Sequence, residues 1–170
     1  MKLDDLSNQE LIDYVYTEIA GKKVRENVKD FNDFSRWREV VNELPEQVAR
    51  VYRVGILNVQ VMNGGFIQYF DNGYGIFANE TLDDLAVLQA TQTHVLLKNA
   101  LEIINPKNYT GEPFVHYILR REFDVNYDDI IKQLERLDSL YYGLEGTEEM
   151  EELLGTYLRE HASELQQHTT

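Results

Sequence analysis

An all-α fold is what this chain of 170 residues predicts, and three observations carry the expectation. Apolar residues recur at helical spacing in nearly every segment. No stretch alternates convincingly with period two. Glycine and proline cluster at the junctions between periodic segments. The length suits a single compact multi-helix domain over 1–170, with enough chain to bury roughly 70% of its unfolded surface.

The elements follow in order. Ser7-Asn8-Gln9-Glu10 reads as a capping box, with Leu6 placed to staple onto Leu11. Leu11, Ile12, Val15, Tyr16 and Ile19 give the first stripe, and Gly21 is a natural stop. A helix over 7–20, packed on the rest of the domain, is therefore expected. Residues 22–29 are polar and basic and read as a connector. Phe31, Phe34, Trp37, Val40, Val41 and Leu44 form a second stripe. Pro45 suits the first turn of a third helix carrying Val48, Val51, Tyr52, Gly55, Ile56, Val59 and Met62. That helix meets Asn63-Gly64-Gly65, and a short aromatic helix with Phe66, Tyr69 and Phe70 follows. Residues 71–75 are a loop by their turn chemistry. Two helices are expected over 81–90 and 91–104, then the longest loop over 105–113. Two more, 127–142 and 147–163, are split by Gly143-Leu144-Glu145-Gly146.

Composition excludes several functions. Thirty acids face sixteen bases, for a net charge of −14. Such a chain repels phosphate, so direct binding to nucleic acid or to an anionic membrane is not expected. No run approaches the ~20 apolar residues of a membrane span. The absence of cysteine excludes thiol nucleophiles and zinc–thiolate sites. Met1-Lys2-Leu3-Asp4-Asp5 lacks the apolar core of a signal peptide, so the cytoplasm is the expected location. The charge is uneven along the chain. Residues 1–57 and 58–121 each sum to −2, whereas residues 122–170 hold 13 acids and 3 bases, a net of −10. An acid-rich C-terminal part suggests one negative face.

The motifs are few. His94, His116, His161 and His168 show no helical zinc spacing. No Gly-x-Ser-x-Gly elbow occurs. Neither a metal nor another cofactor is expected. Asn63-Gly64-Gly65 lacks the Lys-Ser/Thr of a phosphate loop and reads as a tight helix junction needing positive φ or close backbone approach. On the 127–142 helix, Asp138 projects only ~40° from Leu134, inside the apolar stripe. A carboxylate there must be paired or hydrogen-bonded. The expected role is a structural acceptor, for the Asn63-Gly64-Gly65 backbone or for an arginine. On the last helix, Met150, Leu153, Leu154, Tyr157 and Leu158 face inward. Glu148 and Glu152 then fall on the opposite face, flanked by Glu149 and Glu151. Carboxylates four residues apart rise ~6 Å, against 3.4 Å per phosphate along one DNA strand. Acids on neighbouring helices therefore sample phosphate-like spacings.

These stretches resemble a known family. Glu43-Leu44-Pro45, the run from Asn63 through Gln68 to Asn72, Leu137-Asp138-Ser139-Leu140-Tyr141-Tyr142, and Leu153 to His161 look like the bacterial DNA-mimic-protein family. The likeness covers about residues 40–163. It implies an all-α fold and a protein that presents carboxylates as DNA presents phosphates.

The first functional expectation is therefore a non-enzymatic acidic binding protein. It would occupy the DNA-binding surface of a basic partner such as a transcription factor. The expected partner-binding acids are Asp128, Asp129, Glu135, Glu145, Glu148, Glu149, Glu151 and Glu152. Asn63, Gly64, Gly65, Phe66, Gln68 and Asp138 are expected to form a structural motif. Association as a homodimer stays open. The alternatives are an inhibitor masking a basic nuclease or toxin, and an enzyme with a pocket near Asn63, Gln68 and Asp138.

Overall fold

The computed structural model describes residues 3–123 and 126–165. His168 lies outside them. Every regular element among the described residues is helical, as the periodicity predicts. The residues group into two compact units, one formed up to Gly55 and from Glu149 onward, the other by Ile56–Glu148.

The first unit starts with Leu3–Asp5, a short 3-10 turn, and α1, Asn8–Asp13. The capping box is present in full: Glu10 N–H donates to Ser7 Oγ at 3.2 Å and Ser7 N–H to Glu10 Oε2 at 2.8 Å. The helix does not stop at Gly21. It widens into a π-helical run, Tyr14–Gly21, and continues as α2, Lys22–Asn27. Gly21 is right-handed (φ −61°) and serves space instead, since a Cβ there would lie 3.0 Å from both Tyr16 O and Arg25 Nη1. The expected connector is thus largely helix. The rod ends where Val28 turns extended and buries its side chain.

After it come α3, Phe34–Asn42, and the start of α4, Glu46–Asp71. Phe31 leaves the expected stripe and is exposed, because α3 starts after it at Asp33, which accepts Arg36 N–H. Tyr16 lies against Gly55 and stacks on Tyr52, which accepts a hydrogen bond from Trp37 Nε1 at 3.3 Å. The unit closes with α9, Met150–Glu160, and α10, Ala162–Leu165. α9 packs on α1, and Asn8 fits over Gly155. Leu11, Val15, Val40, Val48, Leu154 and Leu158 form its core.

The second unit holds the remainder of α4, a 3-10 turn at Tyr74–Phe77, and α5, Ala78–Val87. It continues with α6, Thr91–Ile104, α7, Gly111–Leu119, and α8, Tyr127–Tyr142. α6 packs on both α5 and α8. The expected loop 105–113 is shorter, because α7 takes its last three residues. Gly111 and Pro113 read as loop chemistry, yet a proline in the first turn lacks only an N–H that has no helical partner. Phe66, Phe70, Phe77, Leu97, Phe114, Ile118 and Leu134 fill this core.

Candidate functional site

The junction in α4 is where the sequence motif becomes geometry. α4 leaves helical dihedrals at Gly64 (φ −159°, ψ 26°) and Gly65 (φ 75°, ψ 179°). The φ of Gly65 is left-handed, a region that glycine enters without steric cost. A Cβ on Gly65 would meet the Asp138 carboxyl, and one on Gly64 would meet the Gln68 carboxamide. Gln68 folds back over Gly64 and accepts a hydrogen bond from Asn63 Nδ2 at 2.9 Å. Its own Nε2 donates to Gln60 Oε1 at 3.0 Å, which also takes Asn72 Nδ2 at 3.2 Å. Across the junction, Phe66 N–H donates to Asp138 Oδ1 at 2.7 Å. A kink strips amides of their helical acceptors, and α8 supplies the replacement.

The rest of α8 locks the same place. Tyr142 donates its hydroxyl proton to Val61 O at 3.0 Å, and Tyr141 donates to Asn58 Oδ1 at 2.9 Å. Phe66 packs edge-on against Tyr141, ring centroids 5.7 Å apart. Burial pushes the Asp138 carboxyl above the usual carboxylate range; the Phe66 amide pulls it down, and the neighbouring Glu135 adds a push upward. Burial also raises the Tyr141 hydroxyl, with the Glu148 charge adding to it. Asn63, Gly64, Gly65, Phe66 and Gln68 thus form one construction with Asp138, which lies 72 residues beyond Phe66 in sequence. Asp138 is held by a main-chain amide.

The eight expected partner-binding acids are placed differently. Asp128 and Asp129 are exposed in the first turn of α8, Glu135 is exposed midway along it, and Glu145 is exposed in the turn after it. Glu148 departs from its expected place on a solvent face. It precedes α9, is half-buried, and accepts Gln92 N–H through Oε2 and Thr93 N–H through Oε1, both at 2.8 Å. It thereby caps α6, whose own N-cap residue, Ala90, has no side-chain acceptor. That missing acceptor is the sequence signal that points to an outside cap. Glu149 is exposed at the N-cap position of α9, with Glu151 and Glu152 in its first turn. Glu152 accepts Asn8 Nδ2 at 3.1 Å, while Asn8 Oδ1 accepts Arg159 Nε at 3.0 Å. Acids in first turns also gain ~0.3–1 kcal/mol each from the helix dipole.

The fold redistributes the charge read along the chain. Grouped by unit, the first holds 16 acids and 10 bases, net −6, and the second 14 acids and 6 bases, net −8. Folding returns the acidic α9 to the unit that holds the more basic N-terminal segment. Among the described residues, no three His, Asp or Glu side chains gather as metal ligands would. No helix of the described residues is long and apolar enough to cross a membrane.

The family model described as DMP19-like protein matches residues 42–161, taking in α4 with its kink, α8 and α9. The chain belongs to the DMP19-like family. That family is one of non-catalytic DNA mimics. No curated protein and no solved structure matches the chain. The DMP19-like match spans Asn63-Gly64-Gly65 and Asp138 together, so the construction at the kink lies inside the region that defines the family.

Proposed function

We propose that this protein is a DNA mimic: a non-enzymatic, acidic protein that occupies the DNA-binding surface of a basic, DNA-binding partner such as a transcription factor. Membership of the DMP19-like family carries the reading. The net charge of −14 supports it. The mechanism is long-range steering by carboxylates, then short-range pairing with Lys and Arg on the partner. Asp128, Asp129, Glu135, Glu145 and Glu151 are the acids best suited to it. They are exposed, on α8, in the turn after it and in the first turn of α9. Glu148 and Glu152 serve contacts within their own units first. The partner and the protein share the compartment of the DNA, in keeping with a cytoplasmic protein. The test is cross-linking in the native host to capture the partner, followed by association rates at several salt concentrations with competing duplex DNA. Binding is expected to weaken steeply with salt, DNA to compete, and Glu135→Gln/Glu145→Gln/Glu151→Gln to slow association. Equal rates at all salts, or no competition by DNA, would sink the reading.

A further inference from the structure

Three large apolar side chains lie exposed beside the kink: Val59 (53%) and Met62 (56%) of α4, and Tyr142 (42%) of α8. Val59 and Met62 are three residues apart and share one helix face. Both were expected to point inward with the rest of the α4 stripe. The Tyr142 hydroxyl is bonded to Val61 O, which seats its ring at the same turn of α4. Single exposed apolar residues are ordinary, but a contiguous group marks an interaction surface.

Acids lead up to this patch along α8. Asp128, Glu135 and Tyr142 are seven apart, so they line one edge of α8 with a drift of only ~20° per heptad. Asp128 and Glu135 are exposed. Each step along the edge rises ~10.5 Å. The edge therefore offers two carboxylates and then an apolar seat, in line. Lys132 stands between the two carboxylates, roughly 40° from Asp128 and 60° from Glu135 at 100° per residue, and Arg136 lies roughly 100° round from Glu135, so the edge keeps a net negative charge with one cation inside it. The helices that read DNA carry the complement. They place Lys and Arg on phosphates and apolar side chains on thymine methyl groups in the groove.

We propose that Val59, Met62 and Tyr142 form the apolar seat of the mimic surface. It would take an apolar side chain of the partner's DNA-reading helix while Asp128 and Glu135 pair with that helix's Lys or Arg. This rests on the DNA-mimic reading. The seat supplies affinity that salt does not screen, and the carboxylates supply the part that it does.

Two synthetic helical peptides of equal positive charge are the probes. One has Lys at heptad spacing and Leu on the adjoining face; in the other every Leu is Gln. Affinities are measured at low and high salt for the full chain, for Val59→Ser/Met62→Ser and for Asp128→Asn/Glu135→Gln. The wild type is expected to bind the Leu peptide about tenfold more tightly than the Gln peptide. The serine variant should lose that preference and keep the salt slope. The amide variant should flatten the slope and keep the preference. A serine variant that still prefers the Leu peptide would overturn the seat while leaving the mimic reading intact. If neither peptide binds the wild type, the mimic reading fails and the seat with it. Light scattering adds an independent arm: a wild-type dimer that the serine pair converts to monomer would assign the patch to a second copy and overturn the proposal.

Discussion

The kink of α4 and the acidic stretch from Glu145 to Glu152 are both short and both conspicuous by residue type, yet geometry binds them unequally. At the kink each residue type answers a separate requirement. Gly65 supplies a left-handed φ, Gly64 leaves room for Gln68, and Asp138 takes the orphaned Phe66 amide. In the acidic stretch the same residue type does different things at successive positions. Glu148 caps α6, Glu152 holds Asn8, and Glu151 stands in solvent. A motif of mixed residue types is therefore a guide to structure. A run of one residue type must be read position by position.

The largest expected effect tests the kink. Gly65→Val places a β-branched residue at φ 75° and pushes it into the Asp138 carboxyl. Backbone strain of ~1–2 kcal/mol and overpacking of ~1–3 kcal/mol together give a loss of about 3 kcal/mol. Urea unfolding measures it, and a variant as stable as wild type would show that the kink is dispensable.

Asp138 comes next. Asp138→Leu leaves the Phe66 amide buried without an acceptor and should cost about 2 kcal/mol, whereas Asp138→Asn keeps an acceptor oxygen and should cost less. The pH dependence has a definite sign. Burial raises this carboxyl, so the folded state binds its proton more tightly than the unfolded chain does. Its contribution is fully present below the ordinary Asp value and is lost as pH rises through the raised one. The stability of Asp138→Asn relative to wild type should therefore improve from acid pH toward neutral. Denaturation series for both proteins across that range decide it, and a deficit of Asp138→Asn that widens toward neutral pH would contradict the assigned cause.

The acidic stretch supplies the smaller effects. Glu148→Ala removes the cap of α6 and should cost ~1 kcal/mol, with faster amide exchange at Gln92 and Thr93. Glu151→Gln should leave stability within ~0.5 kcal/mol, as exposed substitutions do. If those two variants melt alike, the distinction between a structural and a solvated glutamate in this stretch collapses.

Much of this was legible in the chain. Periodicity placed α6 and α8, the Ser7–Glu10 box appeared as read, and Asp138 could be located among apolar residues by angle alone. These depend on spacing within one helix, which sequence order preserves. Other readings failed where one residue type serves two ends. Gly21 looked like a stop and is a packing gap, and Gly111 with Pro113 looked like a loop and opens α7.

What the sequence determined by itself is the all-α class, the α4 junction and the sign of the charge, because each follows from local residue chemistry. The tertiary structure alone decided which acceptor rescued the Phe66 amide, which glutamate capped α6, and that Val59 and Met62 face solvent beside Tyr142. It also returned the acidic α9 to the unit of the N-terminal helices. Those outcomes depend on which surfaces meet across 50 to 150 residues of chain, where long-range contacts override the pattern along it.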